Sequence, residues 1–229
     1  MSEVRYQRNK SLINSQDQTK LAGSCVAVIG LGGLGGNTAE QLARLGIGKL
    51  ILIDRDCFDE TNLNRQLFAT EKNIGQRKVD GARDRLMAIN SSLHYEFFDG
   101  AVTADNAKEL LKDAQIVVDS VDNIKTRRLL QTICKTLDLP LVYGAIGGWY
   151  GQVSFIAPGD DTLNLVYPGT EEVGIEQKLG NPAFTPAIVS SIQVAEVVKY
   201  LLGKGELLRK KLLLIDLLNQ DYSVLDLDI

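Results

Sequence analysis

Histidine and cysteine are scarce in this sequence. Its 229 residues include one histidine, His94, and three cysteines, Cys25, Cys57 and Cys134, which lie far apart along the chain. These residues form neither a Cys-x-x-Cys pair nor a histidine-rich zinc motif, and they exclude a disulfide-rich secreted fold. We therefore expect chemistry that needs no transition metal.

Long apolar runs and an excess of positive charge are also missing. No run of 18 apolar residues occurs, and the polar residues 1–10 lack the apolar core of a signal peptide. The net charge is −4 and the isoelectric point about 5.2. We expect a cytoplasmic protein with no membrane partner, and no overall positive field that would attract nucleic acid.

The first part of the chain alternates short apolar runs with helical patterns. Buried strands are predicted at 25–29, 50–53, 93–98, 116–119 and 141–143, and helices at 39–45, 78–89, 107–111 and 126–137. This alternation predicts a doubly wound, mostly parallel, Rossmann-like α/β sheet. The polar segment 7–19 is expected to be an arm or a short helix over the surface.

The pattern changes after Gly144. Strands are predicted at 152–156, 163–167, 212–215 and 222–227, a helix at 186–202, and a long loop at 168–185. Loops of that length in a compact domain are usually functional or disordered. The length predicts a single domain over 1–229, with an arm at 1–20 and an antiparallel C-terminal extension.

A glycine motif follows the first predicted strand. Gly30-Leu31-Gly32-Gly33-Leu34-Gly35 fits G-x-G-x-x-G and precedes a predicted helix, where backbone N–H groups can bind phosphate. Asp54 follows Gly35 by 19 residues and ends the second strand, the usual position of a ribose-binding acid. The alternative is that these glycines only form a turn. The motif predicts an adenine nucleotide and leaves NAD and ATP both open.

Charged residues after Asp54 favour ATP. The stretch 54–66 is polar and contains Arg65, and Lys78 follows Arg65 by 13 residues. Two cations beside a triphosphate would neutralise charge on leaving pyrophosphate. Asp119 and Asp122 follow the fourth strand, where a carboxylate could hold Mg²⁺ between phosphates.

With these motifs, the chain resembles the ubiquitin-activating-type adenylyltransferases of the ThiF/MoeB/HesA family over nearly its whole length. The resemblance extends from Arg5-Tyr6-Gln7-Arg8 to the C-terminal strands. It includes the glycine motif, Asn62-Leu63-Asn64-Arg65-Gln66, Gly75-Gln76-Arg77-Lys78 and Asp122-Asn123.

The resemblance implies roles for individual residues. Asp54 would bind ribose, Asp122 would carry Mg²⁺, and Arg8 would reach into the partner subunit's site of a homodimer. Catalytic roles would fall to Arg65, Lys78, Asp122 and Arg8. The nucleotide-binding set would consist of Gly30, Gly32, Gly33, Gly35, Asp54, Asp56, Asn62, Gln66 and Asn123.

The implied reaction joins ATP to a protein carboxylate. The C-terminal glycine of a small ubiquitin-like sulfur carrier ending in Gly-Gly would attack the α-phosphate and give an acyl adenylate. A sulfur donor protein could then attack that adenylate, in thiamin or molybdopterin-type synthesis. Residues 21–145 would bind the nucleotide, and 146–229, with a crossover loop at 168–185, would bind the carrier.

The sequence departs from the family at its cysteines. Many relatives carry two Cys-x-x-Cys pairs for a structural zinc, but residues 165–168 read Leu-Val-Tyr-Pro and no cysteine follows Cys134. We expect no zinc and no thioester cysteine in the crossover loop. Activation would then stop at the adenylate or pass to another protein's sulfur.

The remaining candidates receive structural interpretations. Cys25 and Cys134 are expected in the core, Cys57 in a structural role near the nucleotide, and His94 at a surface or strand position. Solvated faces are predicted for Arg127-Arg128 and for Arg209-Lys210-Lys211. Arg55 could contact the adenine side or lie at the surface.

Three other functions remain as alternatives. A dehydratase acting on threonylcarbamoyl-adenosine in tRNA belongs to the same family, but a basic surface would be expected and the chain is acidic. Hydride transfer by an NAD-dependent oxidoreductase would not explain the presence of Arg65, Lys78 and Asp122. A pseudo-enzyme that only binds nucleotide or a partner would be expected to lack one of those three residues.

Overall fold

The computed structural model describes residues 3–170, 174 and 176–227. Its strands are β1 (Cys25–Ile29), β2 (Lys49–Asp54), β3 (His94–Asp99), β4 (Ile116–Asp119), β5 (Leu141–Gly147), β6 (Tyr150–Ile156), β7 (Lys211–Asp216) and β8 (Asp221–Asp226). Its α-helices are α1 (Ser15–Ala22), α2 (Gly33–Leu45), α3 (Lys78–Asn90), α4 (Ala107–Leu110), α5 (Ile124–Thr136), α6 (Thr162–Val166), α7 (Glu176–Leu179) and α8 (Phe184–Leu202). Short 3-10 helices cover Glu3–Asn9 and Glu60–Asn62.

The strands form an eight-stranded sheet in the order β3-β2-β1-β4-β5-β6-β7-β8. The pairs from β3 to β5 are parallel, and the pairs from β5 to β8 are antiparallel. This confirms the predicted doubly wound, mostly parallel sheet with an antiparallel C-terminal extension. The strand order reverses between β1 and β4, and in such sheets ligands bind beyond the carboxyl ends of the strands at that point.

Two apolar cores cover the two faces of the sheet. Val26 and Val28 of β1 face one core, with α2 and α8, whereas Ala27 and Ile29 face the other, with α4 and α5. Successive residues of a strand point to opposite faces, so a strand buried on both sides must be apolar throughout. This explains why unbroken apolar runs predicted β1, β2 and β4 to within a residue, whereas β5 continues four residues beyond its predicted end at Tyr143.

The segment before β1 packs onto the rest of the chain. Tyr6, in the first 3-10 helix, and Ile13 are both buried. The Nδ2 of Asn90, at the end of α3, donates to the Tyr6 hydroxyl over 3.0 Å. The surface segment predicted at 7–19 therefore consists of helical turns anchored by buried side chains.

One predicted strand is wrong. Residues 163–167 were expected to be extended, but Thr162–Val166 form helix α6. A short apolar run does not distinguish a strand from a buried helical turn. Here Leu163 packs in the core, and its N–H donates to Gln131 Oε1 of α5 over 2.8 Å. Within helical geometry, this backbone N–H thus finds its partner on α5.

The predicted loop at 168–185 differs in part. Residues 171–173 and 175 lie outside the described residues, so the prediction is not tested there. Helix α7 lies within the predicted range, and α8 begins at Phe184, two residues before the predicted start at Pro186. Over the residues that the structure describes, no helix is long and apolar enough to cross a membrane.

Candidate nucleotide site

The glycine motif forms a tight turn between β1 and α2. Gly30 has φ +92°, a conformation that favours glycine. A Cβ at Gly35 would lie 1.7 Å from the Gly30 carbonyl oxygen, so only glycine allows this closeness. Gly32 precedes the first helical residue, and no described side chain caps the helix there. The first N–H groups of this 13-residue helix are thus available to an anion.

Asp54 is held at the end of β2 by backbone N–H groups. Its Oδ2 accepts from Leu31 N over 2.6 Å, and its Oδ1 accepts from Asp56 N over 2.8 Å. Burial raises the pKa of Asp54, and the nearby Lys78 partly offsets that effect. The carboxylate is therefore fixed beside the glycine turn, where the sequence predicts a ribose-binding acid.

Lys78 lies at the first position of α3, close to Asp56. Its backbone N–H donates to the Asp56 carbonyl over 3.0 Å, and its Nζ lies 3.2 Å from Asp56 Oδ2. The lysine is only 7% exposed, whereas the Asp56 carboxylate is exposed. A largely buried cation has little water around it. It therefore attracts an incoming anion more strongly than an exposed cation would.

Arg65 and Gln66 approach the same space from the segment after β2. Arg65 Nη1 donates to the Thr61 carbonyl over 3.0 Å and to Asn64 Oδ1 over 2.8 Å. These contacts hold the guanidinium against the segment 61–64 that directly precedes it. Gln66 is 7% exposed, and its Oε1 has no hydrogen-bond partner within the described ranges. A buried amide oxygen of this kind is available to a ligand N–H or a water.

The two carboxylates after β4 have different surroundings. Asp119 is fully buried and pairs with Arg127 over 3.0 Å between Oδ2 and Nη1. Asp122 is exposed, and Asn123 Nδ2 donates to its Oδ1 over 3.2 Å. Asn123 also caps α5, because its Oδ1 accepts from Thr126 N over 2.8 Å. Of these two residues, Asp122 is thus the one whose carboxylate faces the open space.

An open cavity of about 500 Å³ lies at the carboxyl ends of the parallel strands. Its volume suits a bound small molecule. Most of the predicted site residues line it: Gly30, Gly32, Gly33, Asp54, Asp56, Arg65, Gln66, Lys78, Asp122 and Asn123. The fold therefore gathers residues from five separate segments of the chain around one space.

Three predicted residues lie elsewhere. Gly35 lies beneath the glycine turn. Asn62 is buried and accepts from Asp59 N through its Oδ1, which closes the second 3-10 helix. Arg8 is exposed on the first 3-10 helix and does not belong to the described cavity lining. Arg8, whose predicted role is in the partner subunit's site, thus does not line the cavity of its own chain.

The prediction of a solvated face for Arg127 and Arg128 is wrong. Arg127 is 4% exposed and lines the cavity. Arg128 is half-buried and donates through Nη2 to the Tyr167 and Gly169 carbonyls, each over 2.6 Å. The buried face of α5 contains Arg127, Leu130, Gln131 and Cys134. That helical spacing was the signal in the sequence, since it puts Arg127 in line with apolar residues.

Sequence reasoning also missed two parts of the cavity wall. Gly100, Ala101 and Val102, directly after β3, line it, as does Asn181 beyond α7. The Oδ1 of Asn181 is buried and without a partner among the described residues. Neither segment carries a motif, so only the topology brings them to the site. Arg55, left open between the adenine side and the surface, is exposed and also lines the cavity.

Two of the thiols and the histidine lie as expected, whereas the structural role predicted for Cys57 near the nucleotide stays a prediction. Cys25 and Cys134 are buried, and burial raises their thiol pKa values to about 11 and about 12. Cys57 is exposed, with its Sγ 3.8 Å from Arg77 Nη1. His94 is exposed at the start of β3, with Nε2 3.4 Å from Glu96 Oε1. None of these four residues lines the described cavity.

The site fits a magnesium ion that arrives with a nucleotide. Over the described residues, no group of three or more histidine, cysteine or acidic side chains forms a metal cage. Mg²⁺ is usually bound through one or two carboxylates, phosphate oxygens and waters, and Asp122 supplies one such exposed carboxylate. Metal binding at Asp122, like the expected absence of zinc, remains a prediction.

A doubly wound sheet with a glycine turn, a buried acid and a cationic cavity defines the nucleotide-binding class of α/β enzymes. A family model described as the ThiF family matches residues 6–228. The chain belongs to this family, as its motifs predict.

Relatives of similar length carry related names. The chain is 31% identical to the SAMP-activating enzyme E1 of Haloferax volcanii, over 96% of this chain and 83% of that protein. It is 33% identical to the sulfur carrier protein adenylyltransferase of Thermus thermophilus, over 96% of this chain and 86% of that protein. Its enzyme class is accordingly that of the adenylyltransferases.

Other relatives are longer. The adenylyltransferase and sulfurtransferase MOCS3 of Culex quinquefasciatus is 35% identical over 93% of this chain, which spans only 50% of that protein. Among solved structures, Escherichia coli MccB with ATP has a TM-score of 0.80 at 22% identity, over 99% of this chain and 72% of that one. This likeness supports the fold. The E. coli tRNA N6-threonylcarbamoyladenosine dehydratase, solved with AMP, has a TM-score of 0.73 at 25% identity, over 88% of this chain and 97% of that one.

Proposed function

We propose that this protein uses ATP to adenylate the C-terminal glycine carboxylate of a small ubiquitin-like sulfur carrier that ends in Gly-Gly. The observation that carries the proposal is the convergence, around one cavity, of an uncapped helix N-terminus, Asp54, the cations Lys78 and Arg65, and Asp122. The names of the Haloferax and Thermus relatives support the choice of acceptor.

The charges around the cavity match a triphosphate. The N-terminus of α2 favours negative charge because helix N-termini present free N–H groups and a positive dipole end, and Gly33 and Leu34 at this end line the cavity. Lys78 and Arg65 would neutralise charge that builds up on pyrophosphate as it leaves. Asp54, held by two backbone N–H groups, would accept from the ribose hydroxyls.

The reaction needs no general base from the protein. A glycine carboxylate is already ionised at neutral pH. Its oxygen would attack the α-phosphorus, the bond from that phosphorus to the bridging oxygen would break, and pyrophosphate would leave with the electron pair. Bound Mg²⁺ would neutralise phosphate charge, with Asp122 as its protein ligand. The residues of this chain orient the reactants, which agrees with the absence of His94 from the cavity lining.

The acyl adenylate would then pass its acyl group to sulfur. Cys25 and Cys134 are buried, the exposed Cys57 does not line the described cavity, and no cysteine follows Cys134 in the sequence. We propose that a sulfur donor protein attacks the adenylate and that AMP leaves. The carrier would serve thiamin or molybdopterin-type cofactor synthesis in the cytoplasm.

ATP–pyrophosphate exchange tests this proposal. Purified protein should exchange label between pyrophosphate and ATP only when Mg²⁺ and a carrier with a free Gly-Gly terminus are present. Asp122→Ala should nearly abolish exchange and leave the circular dichroism spectrum and the melting temperature unchanged. The matched control is Asp84→Ala, which removes an exposed acid from α3 outside the cavity and should exchange like wild type. Full exchange by Asp122→Ala would refute the metal assignment.

The likeness to the tRNA-modifying dehydratase favours a second candidate function. That structure covers 88% of this chain, and the cavity described here would serve ATP in either case. The net charge of −4 argues against a broad tRNA surface. AMP formation that depends on modified tRNA and not on any carrier would support the dehydratase. NADH-linked turnover without ATP would overturn both proposals.

A further inference from the structure

Arg127 fills a gap where β4 and β5 diverge. The two strands pair at Val117↔Leu141 and at Val118↔Val142. Beyond those positions the Arg127 guanidinium links them, because its Nη1 donates to Asp119 Oδ2 of β4 over 3.0 Å and to the Gly144 carbonyl of β5 over 2.5 Å. A side chain from α5 thus replaces strand pairing at the edge of the cavity.

The same ion pair holds the residue before Asp122. Arg127 Nη2 donates to the Val121 carbonyl over 2.7 Å, and Val121 N donates to Asp119 Oδ1 over 3.1 Å. Both polar backbone groups of Val121 are therefore bound by the two members of the ion pair. The next peptide leads into Asp122, so the position of its carboxylate depends on this arrangement.

A side chain from the opposite face of the sheet completes the support. Gln193 of α8 is fully buried, and its Nε2 donates to the Asp119 carbonyl over 2.8 Å. A Cβ at Gly144 would lie 2.4 Å from that nitrogen, so the glycine leaves room for the amide. The end of β4 is held from both faces and has little freedom to shift.

Stability alone does not account for a buried charge pair at this position. Buried ion pairs can often be replaced by apolar residues with little loss of stability, because removing charges from water is costly. Asp119 and Arg127 are 0% and 4% exposed. Their contacts are better explained by the geometry that they impose on the turn.

We propose that Arg127 is a positioning residue, which acts through Asp119 and Val121 to fix the turn that presents Asp122 to the magnesium ion of MgATP. This inference rests on the proposed function in one respect, namely that Asp122 meets that ion. Arg127 itself need not touch the nucleotide. Lysine at this position keeps the positive charge, but its single nitrogen cannot reproduce the planar arrangement in which Nη1 contacts Asp119 and Gly144 while Nη2 contacts Val121.

Calorimetry with α,β-methylene ATP, with and without Mg²⁺, tests the proposal. Wild-type protein should bind the analogue more tightly in Mg²⁺. Arg127→Lys should reduce this Mg²⁺-dependent gain by about tenfold, as loss of a residue that orients a metal ligand typically does. It should leave the affinity in metal-free buffer unchanged. Arg85→Lys, which loses a partly buried pair with Glu40 outside the cavity, is the matched control and should keep the full gain.

A double-mutant cycle separates positioning from a general structural role. Asp122→Asn should lose the same gain, and adding Arg127→Lys to it should cause no further loss. Additive losses, an unchanged gain in Arg127→Lys, or an equal weakening with and without Mg²⁺ would each overturn the proposal. A carrier is not needed, so absence of exchange with every carrier would refute the proposed acceptor and leave this inference standing.

A second variant covers the case in which Arg127→Lys fails to fold. Asp119→Asn keeps the shape of the side chain and removes the charge that pairs with Arg127, so it should lose the Mg²⁺-dependent gain in the same way. Should both variants fail to fold, the ion pair would be a requirement of the fold, and the positioning role would be refuted.

Discussion

At the scale of single residues, Gly35 sets how closely α2 can approach the glycine turn. A Cβ there would lie 1.7 Å from the Gly30 carbonyl oxygen and 3.2 Å from Ser120 Cβ. Because the nearest atom belongs to the backbone, no rotamer change can relieve the clash. We expect Gly35→Ala to lower the free energy of unfolding by about 3 kcal/mol, as overpacking at a rigid position does. It should also weaken ATP binding.

The neighbouring glycine provides the control. A Cβ at Gly36 would meet Leu67 and Phe68 at 3.6 Å, which is ordinary contact. Gly36→Ala should therefore keep or raise stability, since alanine favours a helix over glycine by up to about 1 kcal/mol. Urea unfolding of the two variants measures the contrast. Equal stability of Gly35→Ala and wild type would show that the turn can move.

The cavity residues that the sequence predicts are those that belong to a motif. The spacing of Gly30, Asp54 and Lys78 predicts that they meet, and all three line the cavity. Arg127 was misjudged because charge alone suggested exposure, whereas its partner Asp119 comes eight residues earlier and on another element. The sequence gives no sign that Asn181 lines the cavity, because only the folded path of the chain after α7 brings it there.

At the scale of secondary-structure elements, α1 is stabilised by a capping box. Asn14 Oδ1 accepts from Gln16 N over 2.9 Å and from Asp17 N over 3.0 Å, and Asp17 Oδ2 accepts from Asn14 N over 3.0 Å. These bonds satisfy N–H groups that have no partner within the helix. We expect Asn14→Ala to lower the free energy of unfolding by about 1 kcal/mol, the usual cost of losing an N-cap.

Urea unfolding measures this difference, with Gln16→Ala as the control. Gln16 is exposed in the same turn and offers only its backbone N–H to the cap, so its replacement should change stability by less than about 0.5 kcal/mol. If Asn14→Ala matched that control, the cap would contribute nothing to the folded protein, and water would satisfy the helix end equally well.

Elements could be predicted where burial on both faces imposes a continuous apolar run. Strand β1 was predicted at its observed bounds, and β4 ends at Asp119 as expected. Residues 163–167 were misjudged because five residues with several apolar side chains fit a strand and a helical turn equally well. The contact that decides between them, from Leu163 N to Gln131, joins residues 32 apart in sequence.

At the scale of the whole molecule, the N-terminal segment presents an apolar and cationic surface. Val4 and Leu12 are 76% and 80% exposed, on either side of the exposed Arg8. Single exposed apolar residues are common on protein surfaces, so it is the predicted role of Arg8, and not this exposure alone, that suggests a partner here. We propose that this surface meets a second copy of the chain and that Arg8 completes the cavity of the partner subunit.

Subunit complementation tests that arrangement. Arg8→Ala and Asp122→Ala should each be nearly inactive in exchange when pure. In a mixed dimer, the intact Asp122 of one subunit would meet the intact Arg8 of the other, so one of its two sites would be complete. When equal amounts of the two variants assort at random, half of the dimers are mixed, and each mixed dimer has one working site of two. Mixing should therefore restore about a quarter of wild-type activity. If Arg8 served its own chain's cavity, every site would lack one residue and mixing would restore nothing.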